Sequence, residues 1–247
     1  MQLNEIDLEH LACQWFHETG WTVAAGPDLS PNGSRPERET YRQALLPGRL
    51  LEALRRLNPA LPEAVVREAA QRVARAQHPH PVESNRVVQT WLTDGVPVDV
   101  PTPDGDLRGD RAWLVDFDDA ERNDWLVVTQ FTMKTGRQPR RPDLVAFLNG
   151  LPVAVLELKD PLNQQTDVWD AYEQLQTYRQ ELPDLFLPNV ALVVSDGKFA
   201  RVGSLTADRE RFMPWRTLAS EHDKPDLEYE LEKVVRGFFD RELFLDY

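Results

Sequence analysis

Between residues 5 and 18 (EIDLEHLACQWFHE) apolar side chains recur at helical spacing. Ile6, Leu8, Leu11, Cys13, Trp15 and Phe16 form one broad sector, and Gly20 follows as a stop. The pattern predicts an opening helix. GPDLSPNGSRPERET breaks it as a loop rich in Gly, Pro and Ser, and two more helices are predicted at roughly 39–57 and 62–76, before the interruption HPHPVES. From about residue 86 the texture changes to short β-like runs, VVQTWL, VPVDV, RAWLVDF and WLVVTQFTM, separated by Asp-Gly pairs and polar turns. DLVAFLNG and LPVAVLELK continue the predicted sheet, and the Asn149-Gly150 pair between them is a hairpin signal. A helix at about 165–181, a buried strand in NVALVVSDG and an amphipathic helix in DKPDLEYELEKVVRGFFDRELFLDY complete the chain. Helices, a sheet, a helix and one more strand predict an α/β or α+β domain.

One part of this pattern is inconsistent with plain core-building. In RPDLVAFLNGLPVAVLELKD, residues 141–160, both faces of the second strand are apolar until Glu157 and Lys159 appear at its end. Glu and Lys are almost never buried without partners. With Asp143 arriving on the neighbouring strand, the Glu-x-Lys pair offers two carboxylates and an ammonium around one point. Two carboxylates and the Leu158 backbone carbonyl suit Mg²⁺, which keeps waters and takes its other contacts from phosphate oxygens. A nearby lysine can orient a water, help to deprotonate it, or stabilise a pentavalent transition state. The other reading of these residues is a buried ion pair that pins two strands.

Strand parity sets a condition. If Asn149 and Gly150 alone form the turn, Leu148 pairs with Leu151, residue 143 faces 156, and Asp143 points away from Glu157. The site therefore requires an odd-length loop, such as Leu148-Asn149-Gly150, or an Asp143 bent beyond the paired region. On the following helix, Gln174 and Tyr178 stand four residues apart and share a face, where an amide and a phenol can reach the same site or a DNA phosphate.

Composition narrows the class. The chain has 247 residues, 41% hydrophobic and 28% charged, which suits a globular domain and excludes a disordered tail or coiled coil. No apolar run approaches the ~20 residues that span a bilayer, and the N-terminus lacks a secretory layout, so a cytoplasmic location is expected. Cys13, the single cysteine, reads as a core thiol. Twenty-eight Lys and Arg against 41 Asp and Glu leave a formal charge of −13, which opposes broad DNA binding. A local basic track is available in KTGRQPRR, with Lys134, Arg137, Arg140 and Arg141 just before Asp143, and a solvated loop is the other reading of these charges. Asp116, Asp118 and Asp119 read as an acidic turn, and His78 and His80 as an exposed Pro-rich loop without a third zinc ligand. Trp21, Trp91 and Trp125 read as core residues.

In order and spacing, several blocks resemble the N-terminal nuclease domain of the restriction (motor) subunit of type I restriction-modification enzymes. They are HETGW, RQALLPGRLLEALRRLNPALP, ESNRVVQTWLTDGVPV, NDWLVVTQFTM, RRPDLVAFLNGLPVAVLELKDP, AYEQLQTYRQELPDLF and VSDGKFARVGSLTADRERFMPW. The resemblance implies a PD-(D/E)xK restriction-endonuclease-like fold, a central mixed sheet flanked by helices, with the motif at Asp143, Glu157 and Lys159. Gln174 and Tyr178 match the Gln-x-x-x-Tyr motif of RecB-like nucleases, and together with Arg141 they are the expected supporting or DNA-binding residues. Many such enzymes add a metal-site glutamate on the first helix; Glu9 is the choice here, with Glu5 and Glu18 as competitors. The expected division is a nuclease domain over 1–220, with a helical segment at about 36–80, and a linker helix starting in 221–247. That linker would lead to ATP-driven motor domains, since no G-x-x-x-x-G-K-[ST] loop occurs in this sequence and the chain reads as truncated. The implied cofactor is Mg²⁺, with ATP acting only through the motor. The implied partners are double-stranded DNA and the methyltransferase and specificity subunits. A non-catalytic docking module and a stand-alone repair nuclease of the same fold are the alternatives.

Overall fold

Helix α1 (Glu5–Glu18) starts on a reciprocal cap: Asn4 Oδ1 accepts from the Asp7 N–H at 3.0 Å and Asp7 Oδ2 from the Asn4 N–H at 3.2 Å. The structure is a computed structural model, and it describes residues 4–76, 81–136, 138–163, 167–218, 225 and 227–247. α1 buries Leu8, Ala12, Trp15 and Phe16, and strand β1 (Thr22–Ala25) and the short α2 (Gly26–Leu29) follow it. The next two helices are α3 (Pro47–Leu57) and α4 (Glu63–Ala74). The first begins later than the predicted residue 39, because Pro47 supplies a first-turn position while residues 39–46 form a loop.

VVQTWL does not form a strand. It lies within α5 (Pro81–Asp94), where Ser84, Val88 and Leu92 bury one face at four-residue intervals. The β-propensity of Val and Trp yields there to helical packing. β2 (Val96–Pro101) and β3 (Leu107–Ala112) pair with each other as a separate antiparallel ribbon, so RAWLVDF leaves the strand after Ala112. The main sheet collects β1, β4 (Trp125–Thr129), β5 (Leu144–Leu148), β6 (Leu151–Leu158), β7 (Ala191–Ser195) and β8 (Ala200–Gly203), in the order β1-β4-β5-β6-β7-β8. Pairings β1–β4 and β6–β7 are parallel and the others antiparallel. α6 (Val168–Glu181) makes the crossover between β6 and β7. This is the expected mixed sheet flanked by helices.

β5 and β6 are buried along their whole length, because a layer covers each face. One face packs Leu144, Ala146, Leu156 and Leu158 with Leu8 and Phe16 of α1, Leu50 and Leu54 of α3, and Phe239. The other packs Val145, Phe147, Val155 and Val194 against Val168, Ala171, Leu175 and Tyr178 of α6. The C-terminal segment is not the single helix its periodicity predicts. α7 (Glu230–Lys233) runs into a π-helical turn over Val234–Phe238, and after a break α8 (Arg241–Asp246) follows. Leu231, Val234, Val235, Phe238, Phe239 and Phe244 are buried, and the Trp21 indole donates to the Phe239 carbonyl at 2.8 Å. Gly237 permits this packing, since a Cβ there would fall 2.1 Å from the Thr217 carbonyl oxygen.

The β5–β6 connection corrects the loop requirement. Leu148 pairs directly with Leu151, and Asn149 and Gly150 form a two-residue turn with φ of 52° and 79°, the type I′ signature. The odd-length loop is absent. The extra residue sits inside the strand instead: Phe147 pairs with Pro152 while Ala146 pairs with Ala154, which leaves Val153 as a β-bulge. Val153 and Ala154 consequently enter the same core face although they are consecutive. Pro152 has no N–H to donate, and a bulge is a place where a sheet tolerates that deficit. Leu144 then pairs with Leu156, so the next position along, Asp143, stands opposite Glu157.

Candidate active site

The bulge restores the parity that the turn removes, and a row of polar side chains follows. Thr129 pairs with Leu144, and the Gln130 N–H donates to the Asp143 carbonyl at 2.7 Å, so Gln130, Asp143 and Glu157 lie side by side across β4, β5 and β6. Asp143 Oδ2 accepts from the Leu158 N–H at 2.8 Å. The Lys159 N–H points the other way, to the Ser195 carbonyl of β7 at 2.8 Å. Alternation along the strand therefore puts the Leu158 carbonyl on the Asp143 side.

Lys159 shares a strand face with Glu157, and its Nζ donates to Glu157 Oε1 at 3.2 Å and to Gln174 Oε1 at 2.6 Å. Gln174 Nε2 in turn donates to the Tyr178 hydroxyl at 2.6 Å. The four-residue spacing predicted on α6 thus produces a relay. Tyr178 holds Gln174 and Gln174 holds Lys159, while Tyr178 does not itself reach the carboxylates by a hydrogen bond.

Of the α1 glutamates, Glu9 comes nearest to the row. Gln130 Nε2 donates to Glu9 Oε2 and, at 3.4 Å, to Asp143 Oδ1. Glu5 acts through its charge, which pushes up both Asp143 and Glu157. Glu18 is instead engaged by Arg236 at 2.5 Å and Gln14 at 2.8 Å. Gln130 was not foreseen from sequence: a glutamine at a strand end carries no local signal, and only the strand order places it between two acids.

Burial is the main cause of the unusual electrostatics. It pushes Asp143 up to about 6, with the charges of Glu5 and Glu9 adding to it and the Leu158 N–H and Lys159 opposing. Burial, then the Asp143 charge, pushes Glu157 up to about 8 despite Lys159. Glu157 Oε2 is buried and has no hydrogen-bond partner. Among the described residues no group of three or more His, Cys, Asp or Glu side chains is assembled to hold a metal ion. A divalent cation nevertheless fits the donors present: two facing carboxylates, one of them with an unpartnered oxygen, and a backbone carbonyl, with its remaining positions left to water and substrate.

The sequence matches the family model for the type I restriction enzyme R protein N terminus over residues 2–211. The chain belongs to this family. It is 35% identical over 248 residues to the type I restriction enzyme HindI endonuclease subunit of Haemophilus influenzae, covering 99% of this chain and 23% of that protein. It is 33% identical over 220 residues to a provisionally named type I restriction enzyme MjaIXP endonuclease subunit of Methanocaldococcus jannaschii, covering 87% of this chain and 21% of that protein. The chain thus spans under a quarter of the length of these relatives.

In this R protein N terminus, two residues of the predicted basic track are engaged elsewhere. Lys134 lies over the Tyr41 ring, 4.2 Å from its centroid, and Arg140 pairs with Glu181 at the end of α6. Arg141 is exposed beside the acidic row, where its charge favours the ionised form of Glu9. Arg137, His78 and His80 lie outside the described residues. Asp116 accepts from the Asp118 and Asp119 N–H groups and from Arg122, and Asp119 caps Glu121, so these acids build a turn. Burial pushes the Cys13 thiol up to about 12, which keeps it inert. No helix among the described residues is long and apolar enough to cross a membrane.

Proposed function

We propose that this chain is the endonuclease domain of a type I restriction enzyme, which hydrolyses phosphodiester bonds of double-stranded DNA with Mg²⁺ and leaves double-strand breaks. The observation that carries the reading is the buried Asp143–Glu157 pair, placed face to face by the Val153 bulge, with one glutamate oxygen unpartnered. Asp143, Glu157 and the Leu158 carbonyl are the groups that hold the cation. Bound there, Mg²⁺ supplies charge neutralisation at the phosphoryl group and an acidified water.

The remaining roles fall to the protein's own side chains. Lys159 has three N–H donors, of which Glu157 and Gln174 engage two; on this reading the third serves the attacking water or a phosphoryl oxygen. Tyr178, through Gln174, fixes the direction of that donor. Arg141 binds a DNA phosphate beside the site. With a net charge of −13, the domain does not grip DNA alone. On this reading, methyltransferase and specificity subunits and ATP-driven motor domains bring DNA to it in the cytoplasm.

The test is cleavage by the assembled enzyme with Mg²⁺ after Asp143→Ala, Glu157→Ala or Lys159→Ala. Loss of cutting with normal assembly and DNA-stimulated ATP hydrolysis is expected. Full cleavage in all three variants would refute the reading and leave a docking role.

A further inference from the structure

Gln130 has three features that a core or surface glutamine does not need. It is one of two described non-glycine residues with a left-handed backbone, at φ 53°. That conformation is costly for a residue with a Cβ and persists only when its surroundings impose it. The surroundings are visible: the Gln130 N–H is tied to the Asp143 carbonyl and the Phe131 N–H to the Pro142 carbonyl, at 2.7 and 3.2 Å. On the opposite side, Gly26 packs so closely that a Cβ there would lie 2.6 and 2.5 Å from the carbonyl oxygens of Thr129 and Gln130. This backbone turn swings the side chain around the strand end, away from the α6 face and toward α1.

There the carboxamide meets two acids on separate elements. Nε2 donates to Glu9 of α1 and to Asp143 at the start of β5. The two carboxylates repel, since each of Glu5 and Glu9 pushes Asp143 up. Without a donor between them Glu9 would swing to solvent, as a half-buried carboxylate on a helix surface is free to do. A neutral amide is the group suited to this place. Lysine would cancel the negative charge that attracts a cation, and glutamate would add another repulsion.

We infer that Gln130 is a positioning residue that pins Glu9 of α1 to Asp143, so that Glu9 joins the cation-holding set. The inference rests on the proposed nuclease reading of Asp143 and Glu157 and adds to it a fixed α1 contribution. Gln130 acts through Glu9.

Mn²⁺ binding to the 247-residue chain, followed by isothermal titration at neutral pH, provides the test. Gln130→Ala is expected to weaken Mn²⁺ affinity by about 10-fold, the scale for a group that orients a ligand. Glu9→Gln is expected to do the same, and the double variant to be no weaker than either alone, because the two side chains act as one unit. Thermal unfolding reports on the fold. Additive losses, or wild-type affinity in Gln130→Ala, would overturn the inference while leaving the nuclease reading intact. A wild-type chain that binds no Mn²⁺, combined with cleavage that survives loss of Asp143 and Glu157, would overturn both. Should Gln130→Ala fail to fold, Gln130→Glu takes its place; it keeps the side-chain length, and affinity equal to wild type would again overturn the inference.

Discussion

Asn149 and Glu157 stand at opposite ends of the same central strand and are equally buried, at 0% and 1% exposure, yet their surroundings differ completely. Asn149 uses its whole hydrogen-bonding capacity. Its Nδ2 donates to the Leu114 carbonyl and Asn123 Oδ1, and its Oδ1 accepts from the Asp124 N–H and from Arg56. Glu157 has one partner for two oxygens, and that partner, Lys159, is shared with Gln174. A buried polar group that is fully satisfied builds structure, whereas one left short, next to a second raised carboxyl, is on the proposed reading held for a cation.

The comparison predicts effects of different kind and size. On the proposed reading, Glu157→Ala lowers DNA cleavage by the assembled enzyme on the order of 10³-fold, because a carboxylate that holds the cation is lost. The fold survives, because the lost carboxylate was only half satisfied. Asn149→Ala does the reverse. It strands the Asp124 N–H and the Leu114 carbonyl and costs about 3 kcal/mol, read from denaturant unfolding, while each molecule that remains folded cleaves normally. A stable but inactive Asn149→Ala protein would break the contrast.

Tyr178→Phe tests the relay behind Lys159. The Gln174 amide loses its acceptor, and cleavage falls about 10-fold with little change in stability; an unchanged rate would reduce Tyr178 to a packing residue. The smallest effect concerns pH. Asp143 and Glu157 are raised in the fold to about 6 and about 8 from ordinary values of 3.8 and 4.5. The folded state therefore prefers the protonated forms. Their favourable contribution is complete below about pH 4 and is lost as pH rises through about 6 to 8. The metal-free chain should melt several degrees lower at the alkaline end of that window, and Glu157→Gln should flatten the dependence. An unaltered pH profile in Glu157→Gln would place the destabilising charge elsewhere.

The polar residues of the candidate site were legible in the sequence because their pattern is local. A Glu-x-Lys at the end of an otherwise apolar strand, an Asp upstream of the same hairpin and a Gln-x-x-x-Tyr on one helix face each follow from strand and helix periods. The two-residue turn was legible too, in Asn149-Gly150. The parity condition was not: an extra residue in the loop or an Asp143 bent beyond the paired region was expected, and the extra residue sits in the strand, where the only local trace is Pro152. VVQTWL was misread for a related reason: Val, Thr and Trp favour strands in general, and the partners of Val88 and Leu92 decide the matter.

The sequence by itself therefore determined which residues carry charge into the core and on which short elements they ride, since those depend on neighbours a few positions away. Tertiary structure alone decided that Asp143 faces Glu157, that Gln130 bridges Glu9 to Asp143, and that residues 230–246 fold back over α1. Each of these depends on packing between segments distant in the chain, where a one-residue bulge or a close glycine contact redirects a side chain without changing the local pattern.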